Sequence, residues 1–166
     1  IRAPFRPAEG LGAAAIGDAV AALAARLAPV SCAGLRLENL HGFLALTPEG
    51  CRADLLALGA AVVEAADPLR APLSAAEIAR RRPDSLSPRQ RALLDRWGYP
   101  FVMEEFRFHL TLTDRLPGHE VTPVRAALAG YFAPVLPEPF AIEDLCLFGE
   151  DAAGAFHLLH RYALTG

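Results

Sequence analysis

The order of predicted elements in the second half of the chain repeats the order in the first half. Residues 106–113 alternate between polar and apolar side chains, which predicts a strand, and a helix and a strand hairpin follow. The first half shows the same order if residues 1–5 are the end of an opening strand. This repetition predicts an α+β fold in which two similar strand-helix-hairpin lobes face each other across a cleft with antiparallel sheets.

Local patterns in the first lobe support this order. Apolar residues recur at helical spacing over 11–27. Residues 35–38 and 43–47 alternate on either side of His41 and Gly42, which predicts a hairpin with a tight turn.

The second lobe carries comparable signals. Thr122 followed by Pro123 predicts the N-cap and the first residue of a helix that continues to Phe132. Residues 142–148 and 156–164 then predict a final hairpin around a glycine-containing turn.

A predicted helical insertion separates the lobes. It contains a helix over 51–66 and a short helix that Ser87 and Pro88 open and that ends near Trp97 and Gly98. The sequence therefore predicts one bilobal domain made of a first lobe truncated at its start, a helical insertion and a second lobe: residues 1–50, 51–100 and 101–166.

Composition and charge limit the classes of function. A hydrophobic content of 53% predicts a packed globule, and a net charge of -3 argues against tight nonspecific binding to duplex nucleic acid. No apolar run has membrane length. Cys32, Cys51 and Cys146 are odd in number and lack a C-x-x-C pair, so we expect reduced core thiols in a cytoplasmic protein.

The predicted strand over 106–113 is the best candidate for chemistry. Strand side chains alternate between faces, so one face of it is apolar and the other carries Arg107, His109, Thr111 and Thr113. A guanidinium and hydroxyl groups can bind a phosphate, and an imidazole can give or take a proton near neutral pH. The alternative is an ordinary amphipathic strand whose polar face contacts solvent.

The segment Phe106-Arg107-Phe108-His109-Leu110-Thr111-Leu112-Thr113 resembles the C-terminal His-x-Thr motif of the two-histidine (2H) phosphoesterase superfamily. The resemblance is closest to a branch of phosphonate-metabolism proteins encoded with phosphonate-utilisation genes, and it extends over residues 1–6, 35–46, 104–113 and 156–164. In that branch the other His-x-Thr immediately precedes a segment like residues 1–5. We therefore expect the first catalytic motif upstream of Ile1.

The resemblance implies a metal-independent and cofactor-independent cyclic phosphodiesterase that opens a small ribose cyclic phosphate or a related phosphodiester. It implies that His109 is one of two acid/base histidines and that Thr111 binds the phosphoryl oxygens. Arg107, Thr113, Arg2 and Tyr162 are further candidates for phosphate binding. An RNA terminus is an alternative substrate, and other phosphonate-pathway proteins are candidate partners.

Two other functions remain open. One is a noncatalytic module that binds a phosphorylated metabolite or an RNA terminus, and the other is a structural subunit of a phosphonate-processing assembly. His157 and His160 cannot share a face of a regular strand, whereas Tyr162 shares the face of His160. The sequence shows neither the spacing of a zinc site nor a glycine-rich phosphate loop.

Overall fold

A computed structural model describes residues 3–166. Within this range five α-helices combine with three small antiparallel sheets, which agrees with the mixed α and β composition predicted above. In chain order the elements are α1 (Ala13–Ala24), β1 (Val30–Cys32), β2 (Leu35–Leu40), β3 (Phe43–Pro48), α2 (Arg52–Ala66), α3 (Ala75–Arg80), α4 (Pro88–Trp97), β4 (Leu110–Thr111), α5 (Gly118–Phe132), β5 (Phe140–Ile142), β6 (Asp144–Glu150) and β7 (Phe156–Ala163). Single 3-10 turns occur at Asp67–Leu69, Pro83–Ser85 and Met103–Glu105.

The chain divides into two compact units, each made of separate segments. Unit 1 comprises the described part of Ile1–Pro29 together with Leu56–Arg107 and Glu143–Gly166, and unit 2 comprises Val30–Leu55 and Phe108–Ile142. The two facing lobes, and their boundaries at residues 1–50, 51–100 and 101–166, remain a prediction.

In unit 1, helix α1 packs against the β6–β7 hairpin. Ile16 and Leu23 are buried on α1, as its apolar spacing predicts. Gly17 is buried on the same helix, and a Cβ there would lie 2.7 Å from the hydroxyl oxygen of Tyr162. The helix and the hairpin therefore meet at a glycine that leaves room for the tyrosine hydroxyl.

The helical part of unit 1 has its own apolar cluster. Val63, Leu93 and Val102 are almost fully buried and pack together. Helix α4 begins with a capping box formed by Ser87 and Gln90, and it ends at Gly98 in the left-handed region with φ 74°. The predicted start and end of this helix are confirmed.

In unit 2, strands β2 and β3 form the predicted hairpin and pair over their full lengths. His41 and Gly42 both have positive φ, at 54° and 102°, which matches the backbone of a two-residue hairpin turn. The side chain of Asn39 supports the turn, since its oxygen accepts a hydrogen bond from the Gly42 N–H at 2.8 Å. Strand β4 extends this sheet on the β3 side, and α5 contacts β2 and β3.

The predicted start of α5 is wrong. The helix begins at Gly118, one turn before Thr122, and Pro123 lies inside it. The Glu120 N–H donates to the Pro117 carbonyl at 2.9 Å and closes the first turn. Because Pro123 is still near the helix start, its missing N–H removes only one early backbone hydrogen bond.

The predicted opening strand is not observed in the described residues. Residues 3–6 are not in a strand, and Pro7 forms an isolated bridge with Arg70. The remainder of that prediction, at residues 1 and 2, lies outside the described range. Conversely, the sequence did not predict the short pair of β1 and β5, in which Val30 lies opposite Ile142.

The expectation of three reduced thiols is also wrong. Cys32, at the end of β1, and Cys51, immediately before α2, are both buried and form a disulfide. Cys146 is free and exposed. The bonded cysteines are 19 positions apart in the sequence, and this spacing alone gave no sign that the fold brings them together.

Candidate functional site

The segment around His109 is not the unbroken strand that its alternation predicts. In this segment the regular strand is β4, which pairs with β3. The Phe106 N–H instead closes a 3-10 turn by donating to the Met103 carbonyl at 3.0 Å. The Phe106 ring lies so near α2 that a Cβ at Gly59 would be 3.0 Å from it. The start of the segment is therefore occupied by a turn and by packing within unit 1.

The predicted apolar face beneath His109 is only partly covered. Phe108 is half-buried, and its ring centroid lies 6.0 Å from that of Phe140. Leu110 is 40% exposed, so this apolar face is not fully packed into a core. Residues so close to the edge of a three-stranded sheet have a neighbouring strand on one side only, which explains the incomplete burial.

One face of the sheet formed by β2, β3 and β4 carries the candidate site. Ala45 pairs with Glu38 on one side and with Thr111 on the other. Directly opposed residues of neighbouring strands point to the same face. Glu38, Ala45 and Thr111 therefore form a row across the sheet.

His109 lies on the same face as this row. Its side chain is exposed, and its ring centroid is 5.7 Å from that of Phe43. Phe43 precedes Ala45 by two residues in β3, so both side chains project from one face. The contact with Phe43 thus brings the imidazole to the face that displays the Thr111 hydroxyl.

On the same face, the part nearer β2 carries an ordered polar cluster. The Thr47 hydroxyl donates to Glu38 Oε2 at 2.9 Å, and Arg36 Nη2 lies 2.7 Å from Glu38 Oε1. Glu49 approaches the other terminal nitrogen of Arg36 at 3.7 Å. Sequence reasoning missed this cluster. The alternation of residues in β2 assigns Arg36 and Glu38 to one face of the strand. Only the strand order shows that this face is the one that carries Thr111.

Thr113, predicted to bind phosphate, has a structural contact. Its Oγ1 accepts a hydrogen bond from the Leu44 N–H at 3.0 Å. The Leu44 carbonyl accepts from the N–H groups of Leu112 and Thr113. Thr113 thus continues the connection to β3 beyond the end of the regular ladder.

Two of the other predicted phosphate contacts, Arg107 and Tyr162, belong to unit 1 rather than to this sheet. Arg107 is exposed and belongs to unit 1. Tyr162 also belongs to unit 1, where it is half-buried and its ring centroid lies 4.5 Å from that of His160. Arg2 lies outside the described residues. Their roles in phosphate binding remain predictions.

A β-bulge changes the arrangement of the histidines on β7. His157 lies opposite Gly149 and His160 lies opposite Leu147, with the register shift between them. The two partners are two residues apart on β6, so both histidines share a face. The opposite expectation assumed a regular strand and is wrong. His157 also pairs with Asp151 at 2.7 Å, and this hydrogen bond is the main cause of the lowered pKa of Asp151.

Two kinds of structural feature are absent from residues 3–166. In this range no three His, Cys, Asp or Glu side chains are grouped to hold a metal ion. No helix in it combines the length and the apolar character needed to cross a membrane.

Sequence similarity to known proteins identifies the family of this chain. Two curated relatives are both named ribose 1,5-bisphosphate phosphokinase PhnN. The protein from Janthinobacterium sp. (strain Marseille) is 36% identical over 159 residues, which cover 93% of this chain and 35% of the relative. The protein from Laribacter hongkongensis (strain HLHK9) is 37% identical over 163 residues, which cover 97% of this chain and 37% of the relative.

The chain thus spans little more than a third of the length of these relatives. No solved structure matches it. Residues 1–157 match a family described as "Protein of unknown function (DUF1045)". This match covers most of the sequence, and the chain therefore belongs to the DUF1045 family.

Proposed function

We propose that this chain is a phosphoesterase that opens a small ribose cyclic phosphate, or hydrolyses a related phosphodiester, in phosphonate metabolism. The observation that carries the proposal is the exposed pair of His109 and Thr111 on one face of a three-stranded sheet. The resemblance of this pair to a 2H His-x-Thr motif supports the same chemistry.

The reaction follows from the two side chains. A water oxygen attacks phosphorus, the bond from phosphorus to one sugar oxygen breaks, and that oxygen takes up a proton. His109 acts as the general base toward water or as the general acid toward the leaving oxygen, as one member of a histidine pair. The Thr111 hydroxyl donates to a phosphoryl oxygen as negative charge builds. The product is a phosphomonoester with a free neighbouring hydroxyl.

The names of the relatives suggest ribose phosphates as the substrate class but also name a kinase. A phosphate-binding loop of the G-x-x-x-x-G-K-[ST] type requires a lysine, whereas this sequence contains 16 arginines and no lysine. We therefore assign the phosphokinase activity of the relatives to the part of their length outside this match, and a separate phosphoester reaction to the part that this chain represents.

Hydrolysis in isotopically labelled water tests the proposal. The full-length natural protein is incubated without nucleotide in ¹⁸O water with cyclic ribose phosphates and linear diesters, and the products are followed by ³¹P NMR. We expect a ribose phosphomonoester that carries one ¹⁸O atom. Turnover that requires ATP, or a product without the label, would contradict hydrolysis.

Thr111 provides the link between this reaction and the site. Thr111→Val removes the hydroxyl with little change in volume, and we expect slower turnover by about tenfold or more, since one transition-state donor is lost. Unchanged turnover by this variant would show that the reaction does not depend on this face of the sheet. Tight phosphate binding without turnover of any substrate would favour the binding-module alternative.

A further inference from the structure

We propose that the aromatic side chains of Tyr99 and Phe101 and the three arginines at 80–82 form a binding surface for single-stranded nucleic acid. An unpaired base stacks on the exposed ring of Phe101, and the guanidinium groups contact the neighbouring phosphates. All of these residues belong to unit 1, whereas His109 and Thr111 belong to unit 2. The inference therefore does not depend on the proposed function.

The ring of Phe101 is exposed on a firmly anchored segment. It is 45% exposed, whereas the residues on either side of it, Pro100 and Val102, are both fully buried. Val102 also packs with Val63 and Leu93 in the apolar cluster of unit 1. The backbone is thus held in place before and after the exposed ring. A base that stacks on this ring therefore has to order little of the chain, which favours binding.

Tyr99 connects this ring to an arginine through observed side-chain contacts. The ring centroids of Tyr99 and Phe101 lie 5.8 Å apart, and the ring planes are inclined by 74°. Arg81 Cζ lies over the ring of Tyr99 at 4.8 Å from its centroid, which is a cation–π distance. The three side chains thus form a continuous row of one cation and two aromatic rings. A nucleotide needs these two kinds of partner, an aromatic face for its base and a cation for its phosphate.

The arginines at 80–82 carry positive charge that the fold does not neutralise. In the described part of the chain no carboxylate forms an ion pair with any of these three guanidinium groups, and the outer two side chains are exposed. The acidic residues of the stretch 75–85 are Asp84 and Glu77, and Glu77 is already paired with Arg6. The local balance is therefore positive, although the net charge of the chain is -3. Such a local excess attracts phosphates.

The exposed ring favours a single strand over a duplex or an acidic peptide. The bases of a duplex stack on one another and leave no face for Phe101, whereas an unpaired base of any type can stack on an aromatic ring. An acidic peptide would contact the arginines but would leave the ring without a partner. Binding should therefore depend on both the ring and the arginines.

The salt dependence of binding separates these two contributions. A fluorescein-labelled oligoadenylate of about 12 nucleotides is titrated with the full-length natural protein, and fluorescence anisotropy is measured at several salt concentrations. We expect Phe101→Ala to weaken binding about tenfold without changing the salt dependence, because the loss of stacking releases no counterions. We expect Arg80→Gln/Arg82→Gln to reduce the slope of log K against log salt by about 1.4, because each phosphate contact contributes about 0.7.

Two variants serve as matched controls. Phe156→Ala removes a phenylalanine ring that is 54% exposed on β7, and Arg26→Gln/Arg125→Gln removes two positive charges at other exposed positions. We expect both controls to bind the oligonucleotide as the wild type does. Thermal unfolding of each variant verifies that Phe101→Ala and the arginine variants are folded.

Several results would overturn the inference. The first is a wild-type protein that does not bind the oligonucleotide, and the second is a folded Phe101→Ala protein with wild-type affinity. A slope that is unchanged in Arg80→Gln/Arg82→Gln, or that falls equally in the control with two other arginines replaced, would refute the phosphate contacts. Equal binding of a duplex of the same length, or equally effective competition by polyglutamate, would show a general anion-binding surface instead.

Discussion

Neighbouring threonines in the His109 segment have different environments. Thr111 is exposed on the sheet face, whereas Thr113 accepts the N–H of Leu44, a residue with no exposed surface. A buried N–H that loses its acceptor pays the desolvation cost of an unsatisfied polar group. The hydroxyl of Thr113 is therefore expected to contribute to stability and that of Thr111 to phosphate binding.

Substitution of Thr113 distinguishes these roles. We expect Thr113→Val to lower the free energy of unfolding by about 1–3 kcal/mol, because the Leu44 N–H is left without its acceptor. Thr113→Ser keeps the oxygen and should retain most of the stability. Urea denaturation measures both variants. Equal stability of the valine variant and the wild type would show that this hydrogen bond has no net effect.

Glu77 is a second residue whose contacts lead to a prediction, because its carboxylate is held by several hydrogen bonds. Hydrogen bonds from Arg6, and then from the backbone and side chain of Ser74, lower the pKa of Glu77 to about 2. Arg6 Nη2 lies 3.0 Å from its Oε2, and the Ser74 N–H donates to the same oxygen at 2.7 Å. The carboxylate thus joins the N-terminal segment to the capping box of α3.

This shift has a defined pH dependence. A pKa lower in the folded state than its ordinary value of 4.5 stabilises the fold above that value, and the contribution disappears as pH falls toward about 2. We expect Glu77→Gln to be less stable than the wild type at pH 6 and the difference to shrink between pH 4.5 and 2. Urea titrations across this range measure it, and a difference that grows on acidification would contradict the assigned contact.

Among the elements, α4 and the β2–β3 hairpin were predicted well from local signals, whereas the local signal at Thr122 and Pro123 misplaced the start of α5. Ser87 and Gly98 mark the ends of α4, and His41 with Gly42 marks the turn between β2 and β3. Each of these signals acts within a few residues of the chain. Such elements need no knowledge of distant partners, and the structure confirms them.

Elements that depend on distant partners were not predicted. The pair of β1 and β5 joins Val30 to Ile142, which are more than one hundred residues apart. The length of β4 depends on which backbone groups of β3 are available to it, and the alternation over 106–113 carries no such information. The bulge that places His157 and His160 on one face is equally invisible in an alternating pattern.

Packing of α1 on β7 leads to a prediction about a glycine. Alanine is favoured over glycine within a helix by about 0.5–1 kcal/mol, but a Cβ at Gly17 would lie 2.7 Å from the Tyr162 hydroxyl. We expect Gly17→Ala to destabilise the wild type and to stabilise the Tyr162→Phe variant. Thermal or urea unfolding of the four proteins measures the coupling. The same effect in both backgrounds would contradict this close contact.

The disulfide between Cys32 and Cys51 gives a second prediction for the elements. It closes a loop with a sequence separation of 19, for which chain entropy predicts about 3 kcal/mol of stabilisation. We expect a reductant to lower the free energy of unfolding by about this amount. Cys146→Ala should show the same response, whereas the Cys32→Ala/Cys51→Ala double variant should show none. A wild-type stability unchanged by full reduction would contradict the expected stabilisation.

At the scale of the whole molecule, the chain is a DUF1045 family member that represents about a third of its named relatives. The sheet of unit 2 brings an imidazole and a hydroxyl to one face and adds a carboxylate along the same row. The His-x-Thr pair was predicted from sequence, but the neighbours of Thr111 across the sheet were not. Strand order, rather than residue type, selects the polar groups that adjoin the motif.

The most direct test of the proposed chemistry compares two histidine variants of the full-length natural protein. Turnover of a cyclic ribose phosphate is measured for His109→Ala and for His119→Ala, whose exposed histidine lies in α5. General acid/base catalysis contributes about 10²–10⁴-fold, so the account predicts a loss of that size for His109→Ala, with unchanged stability, and near wild-type turnover for His119→Ala. Wild-type turnover by a folded His109→Ala protein would contradict it.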